Sequence, residues 1–181
     1  MTFFRKGVLV DFTEIKDGDG WELFARDFFA ALGMVVEVPP GRGADGGRDL
    51  LVSEQMRASL ASAKFTWLVS CKHFATSGKS VGTDDEPSIA DRLRQHQADG
   101  FLGFYSTMAS AALVERLRAL AEPRPGASPL IRRFEVFDGA RITARFHAVG
   151  LADVALQHLL SIGTELGPQI GTQKGPSCEV C

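Results

Sequence analysis

The sequence predicts an α/β fold in which a mixed central β-sheet is flanked by helices. Its local patterns run helix, three strands, helix, strand, helix, strand, helix, an order that suits one sheet between helical layers. The stretch Phe65 to His73 is almost continuously apolar (Phe65, Trp67, Leu68, Val69, Cys71), as a central strand covered on both faces requires. The chain has 181 residues, 45% hydrophobic and 23% charged, an ordinary globular balance with enough length to bury one core without staples.

The first helix is expected over Gly20 to Gly33. Trp21, Leu23, Phe24, Phe28, Ala31 and Leu32 recur there at helical spacing, with Asp19 as N-cap and Gly33 as the stop. Met34 to Val38 is a short β-branched run closed by Pro39-Pro40. The glycine-rich Gly41 to Gly47 cannot be regular structure. Arg48 to Ser53 and Phe65 to His73 read as strands, joined through Glu54 to Ala63 by a widened hairpin connection or one helical turn. Thr76 to Ser88 is polar and reads as a long loop. Ile89 to Ala98 is helical, Gly100 to Ser106 a buried strand, and Ser110 to Ala121 a helix with Leu113, Leu117 and Leu120 on one side. Pro123 to Pro129 breaks the chain. Phe134 to Phe137 is a strand, Asp138-Gly139 a turn, Arg141 to His147 a strand or a helix start, and Leu151 to Ser161 a final helix.

A formal net charge of −2 argues mildly against a nucleic-acid coat, but not against an enzyme that gathers its positive charge in one cleft. Three cysteines, one inside an apolar run, do not form a secreted disulfide framework. The start lacks a signal-peptide apolar region and no run approaches a membrane span, so a cytoplasmic location without a membrane partner is expected.

The chemistry concentrates in Gly43-Ala44-Asp45-Gly46-Gly47-Arg48-Asp49-Leu50 and Trp67-Leu68-Val69-Ser70-Cys71-Lys72. An acid opens one strand and a lysine lies near the end of the next, so pairing of the two would bring Asp49 and Lys72 to one sheet edge. Asp49 offers a hard oxygen to a divalent ion. Phosphodiester cleavage needs an activated water and charge relief on the phosphate, which metal and lysine share. The plainer alternative is an Asp that serves a turn and a Lys that is solvated.

In order, WELFARDFFAALGM, GADGGRDLLV, WLVSCKH and ADGFLGFYST resemble the Mrr-like branch of the PD-(D/E)xK restriction-endonuclease-like nucleases. The resemblance runs from about Trp21 to Leu120. It implies a restriction-endonuclease-like core over residues 1–162 and a Mg²⁺- or Mn²⁺-dependent endonuclease acting on DNA in restriction or anti-phage defence. It makes Asp49 the metal-binding acid and Lys72 the residue that orients water and stabilises the phosphate. The Cys71 carbonyl becomes a further metal ligand, and Glu22 the acid of the first helix. A homodimer, or a place in a longer multidomain protein, is compatible with this reading.

One departure stands at Ser70, where the family pattern has Glu or Gln. Either the missing acid comes from elsewhere, with Glu22, Asp45, Asp85 and Glu86 as candidates, or the domain is a catalytically impaired one that binds nucleic acid or a partner. His73 should point away from Lys72, as neighbours along a strand do, and serve structure. Ser77-Gly78-Lys79-Ser80 lacks the first glycine of a P-loop, His73 standing in its place. Lys79 and Ser80, with Arg48, are better suited to contacts with a nucleic-acid backbone. Residues 163–181 read as an extended tail whose Cys178-Glu179-Val180-Cys181 would supply half of a zinc site, either incidental or the start of a truncated zinc ribbon.

Overall fold

A computed structural model describes residues 10–41, 48–57, 62–123, 126, 128–145 and 151–159. Asp45, most of the glycine-rich loop, His147 and the tail with Cys178 and Cys181 lie outside them. After a short 3-10 turn at Phe12–Glu14 come α1 (Gly18–Ala31), β1 (Val35–Val38), β2 (Leu50–Arg57), β3 (Ser62–Lys72), α2 (Ile89–Gln95), β4 (Gly100–Tyr105), α3 (Ala111–Ala121), β5 (Arg133–Phe137), α4 (Gly139–Arg145) and α5 (Leu151–His158). The five strands form one sheet in the order β1-β2-β3-β4-β5. β1, β2 and β3 pair antiparallel, whereas β3, β4 and β5 run parallel. β3 is therefore the central strand, as its apolar run predicts. No helix among the described residues is long and apolar enough to cross a membrane.

Alternation along the strands divides the interior into two cores. Leu50, Val52, Trp67, Val69, Cys71, Leu102 and Phe104 face α1 and α5, where Trp21, Phe24, Phe28 and Phe29 are fully buried. Leu51, Leu68, Phe101 and Tyr105 face α2 and α3 through Ile89, Leu93, Leu113 and Leu117. On the first side Trp21 Nε1 donates to the Phe104 carbonyl at 3.0 Å, fixing the start of α1 to β4. On the second, Gly103 leaves the space over which the ring of Tyr105 lies, since a Cβ there would come within 2.4 Å of the phenol.

Several element ends differ from expectation, each for a local reason. The α1 N-cap is Asp17, not Asp19: its backbone is extended and its carboxylate accepts from Gly20 N at 2.8 Å, which places Asp19 in the first helical turn. Gly33, at φ 84°, ends the helix as expected. Within Glu54 to Ala63 the described residues, 54–57 and 62–63, are strand, because the ladder continues from Leu50↔Val69 to Arg57↔Ser62. Arg141 to Arg145 belongs to a helix opened by Asp138, whose carboxylate accepts from Arg141 N at 2.8 Å. Thr76 to Ser88 is a loop as expected, but two of its residues turn inward. Val81 within it is fully buried and bridges Ala109, and Glu86 is fully buried as well.

Candidate active site

The antiparallel register of β2 and β3 builds the site. With Leu50 opposite Val69, Asp49 falls opposite Ser70, and its N–H reaches the Val69 carbonyl at 3.4 Å. One carboxylate oxygen of Asp49 accepts from the N–H of Cys71, the residue between Ser70 and Lys72. Asp49 shares the face of Leu51, while Ser70 and Lys72 share that of Leu68, and Leu51 and Leu68 belong to one core. Asp49, Ser70 and Lys72 thus stand on the same face at the same edge of the sheet. Lys72 ends β3 beside Tyr105, and its carbonyl accepts from Ser106 N at 3.0 Å.

The Cys71 thiol points the other way, into the aromatic core. Burial pushes its pKa well up, and the charges of Asp49, Glu22 and Glu86 add to the effect while Lys72 opposes it. Glu22 reaches this region from α1 on the opposite face of the sheet, and lines a cleft of about 160 Å³ with Asp19, Leu23, Pro40 and Gly41. His73 follows its expected direction. It stacks on Trp21 with centroids 5.0 Å apart, and its Nε2 lies 2.8 Å from the Ile15 carbonyl.

Ser70 is fully buried, and its hydroxyl donates to Glu86 Oε2 at 3.1 Å. The same oxygen of Glu86 takes Arg92 Nη2 at 2.5 Å, and Oε1 accepts from the Tyr105 hydroxyl at 3.0 Å. Burial, and then the charge of Glu86, hold the Tyr105 phenol well above its usual range. Asp85, next in the chain, accepts from Lys79 Nζ at 2.8 Å and from Gly82 N at 2.7 Å. The Lys79 contact foremost holds the Asp85 carboxyl below its ordinary pKa, and Lys72 contributes to the same lowering. Lys79 also lies over the Phe74 ring at 5.0 Å, and Ser80 is exposed beside it. Arg48, partly buried next to Asp49, has its Nε buried with no hydrogen-bond partner among the described residues.

The structure thus brings Asp49, Ser70, Cys71 and Lys72 together, with Glu22 approaching across the sheet and Lys79, Ser80 and Arg48 around the rim. Sequence reasoning missed Arg92 and Tyr105. A signal existed for the first: Ile89, Arg92 and Leu93 fall on one face of α2, so an arginine sits within an apolar stripe and calls for a buried acid.

No family profile matches the chain, and no curated protein matches it. Two solved structures do. The MspJI restriction endonuclease in complex with a 27-mer oligonucleotide superposes with a TM-score of 0.53 at 21% identity, over 84% of this chain and 33% of that one. The chain has a restriction-endonuclease-like fold. The DNA modification-dependent restriction endonuclease AspBHI aligns over 92% of this chain and 45% of its own length, at 12% identity and a TM-score of 0.49. The chain spans less than half of the length of either neighbour.

Proposed function

We propose that this chain is the nuclease core of a Mg²⁺- or Mn²⁺-dependent endodeoxyribonuclease of the Mrr-like PD-(D/E)xK type, acting in restriction. One observation carries the reading. The β2–β3 ladder sets the Asp49 carboxylate against the N–H of Cys71, the residue between Ser70 and Lys72, so acid and lysine share one sheet edge. An unrelated α/β module with a chance turn at Asp49 has no need of that pairing. The MspJI structure, a nuclease on the same fold, holds an oligonucleotide, which supports DNA as substrate.

The donors suit a hard cation. Asp49 and the Cys71 carbonyl present oxygen, and Glu22 adds negative charge within reach of Cys71. Among the described residues no three of His, Cys, Asp and Glu are grouped so as to hold a metal ion by themselves. That is compatible with Mg²⁺, which keeps several waters and takes one or two carboxylates. When bound, the ion would lower the pKa of a water and relieve charge on the phosphate. Lys72 holds its positive charge where the scissile phosphate becomes more negative, and orients the attacking water. Lys79, Ser80 and Arg48 would fix the DNA backbone beside it.

The experiment is cleavage of duplex DNA with Mg²⁺ or Mn²⁺ and without metal, by wild type, Asp49→Asn and Lys72→Ala. Asp49→Asn is preferred to Ala because the asparagine carbonyl still accepts from Cys71 N. Each variant is expected to lose cleavage by at least 10²-fold, about the cost of removing one preorganised charge stabiliser. Full activity in either, in protein free of contaminating nuclease, would end the proposal. The second reading, a domain that binds nucleic acid or a partner without cutting, is favoured by Ser70 in place of Glu or Gln. DNA binding with no cleavage by wild type in either metal selects it.

A further inference from the structure

We propose that Met108 is a wedge, an apolar side chain that enters a groove of the bound duplex and opens one base step beside the cut. The proposal rests on the reading of the Asp49–Lys72 edge as a DNA-cleaving site. β4 ends at Tyr105, opposite Lys72, and Ser106 N donates to the Lys72 carbonyl at 3.0 Å. Met108 is two residues further on, a reach of at most about 7 Å. That is less than the roughly 12 Å width of a major groove, so a duplex seated on Lys72 also meets Met108. The side chain is 69% exposed, more than any other large apolar one among the described residues.

The segment from Ser106 to Ser110 is built to present this side chain alone. Each of its hydroxyls is engaged by the main chain. Ser106 Oγ accepts from Phe74 N at 2.7 Å, Thr107 Oγ1 donates to the Lys79 carbonyl at 2.7 Å, and Ser110 Oγ accepts from Leu113 N at 3.2 Å. The backbone is fastened as well: Val81 N donates to the Met108 carbonyl at 2.9 Å, and Ser110 N to the Val81 carbonyl at 2.8 Å. A thioether has no donor and only a weak acceptor, so it cannot read a base edge by hydrogen bonds. It can take up apolar surface, and in a duplex most of that surface lies between stacked bases. Apolar wedges, Met among them, enter base steps and unstack them. A cleft of about 520 Å³ beside Met108, with Val10, Phe12 and Ala140 in its walls, extends the apolar surface. An opened step frees the strand to turn toward Asp49 and Lys72. Steps that unstack easily, pyrimidine–purine above all, should be preferred at the cut.

The test compares duplexes of one sequence, fully paired or loosened by a single mismatch at the step that wild type cuts. A second set carries 2-aminopurine, which brightens when it is unstacked, and is bound without divalent metal. The proteins are wild type, Met108→Ala, Met108→Gln and, as a control, Val35→Ala, which trims an exposed apolar side chain on the outer strand β1. Wild type and Val35→Ala are expected to brighten the probe, and both Met108 variants to bind without doing so. Cleavage of the paired duplex should fall roughly 10-fold in the Met108 variants, about the worth of one base contact, at an unchanged unfolding temperature. The mismatched duplex should restore them to within a few-fold of wild type. Full brightening by either Met108 variant, or a loss of cleavage that is the same on both duplexes, would make Met108 an ordinary surface residue and overturn the proposal. Met108→Gln keeps the length and loses the apolar character, so it decides even if alanine disturbs the loop. If wild type binds duplex without cutting, the fluorescence comparison decides alone. Wild type that binds no duplex removes the DNA reading itself, a failure seen before any variant is compared.

Discussion

Val69 and Cys71 look from β3 into a core of rings, whereas Ser70 and Lys72, on the same strand, face a core that holds a carboxylate, a guanidinium and a phenol. The ring side is closed by contacts such as Phe24–Phe104 and Phe28–Phe104, with centroids 5.7 and 5.3 Å apart. Its stability comes from apolar area, which is non-directional and forgiving of small shifts. The other side depends on hydrogen-bond geometry, where one lost partner leaves a buried charge. A protein that needs only a core has no reason to accept that fragility. The polar core lies directly behind the Asp49–Lys72 edge, on the face where Asp49, Ser70 and Lys72 stand.

The sharpest way to break this contrast is Arg92→Ala. It should destabilise the fold by about 3–5 kcal/mol, because it strands the fully buried Glu86. Denaturant unfolding measures it, and a loss below about 1 kcal/mol would mean that the acid is not held as a charge. On the ring side, Trp21→Phe removes the bond to the Phe104 carbonyl and leaves it unpaired, at a cost of about 1–3 kcal/mol. Mn²⁺ affinity and DNA cleavage per folded molecule should stay at the wild-type level, so that stability and function separate by face. The smallest effect is expected at the rim. Asp85 titrates below its ordinary value in the folded state, so the stability it confers is present above the usual Asp pKa of about 3.9 and is lost as pH falls through the lowered value. Asp85→Asn should therefore be less stable than wild type near neutral pH, by less than about 1 kcal/mol because Lys79 is exposed, and the gap should close in strong acid. A gap that widens toward low pH would assign the Lys79–Asp85 pair no stabilising role.

Much of this architecture is legible in the sequence, because strands and helices announce themselves by apolar spacing. Phe65 to Cys71 reads as a central strand and is one. The apolar stripe of Leu113 and Leu117 reads as the buried side of a helix, and both leucines are fully buried. Asp49 and Lys72 stand out for the same reason, since a strand order implies a ladder and a ladder implies a shared edge. The choice between Asp17 and Asp19 as cap is not legible, because Asp-Gly-Asp-Gly offers two equivalent starts and only the backbone direction decides. Glu86 is half legible: it can be counted among the nearby acids, but a loop has no period from which to derive its direction. Its contact with Ser70 and Tyr105 exists only after β4 docks beside β3.

The room left by Gly103 has a consequence for how substitutions combine. The phenol of Tyr105 lies over that space and donates to Glu86, so any side chain at 103 would lift the ring and drag on the acid although residue 103 has no atom in the site. Effects at 103 and 105 are then not additive. Gly103→Ala is costly while the ring is present and nearly silent once Tyr105 has become alanine, with a coupling of about 0.5–3 kcal/mol expected for residues in contact. Drift at these two places is therefore ordered: the ring must shrink before the glycine can grow, and a lineage that takes the steps in reverse passes through a misaligned acid.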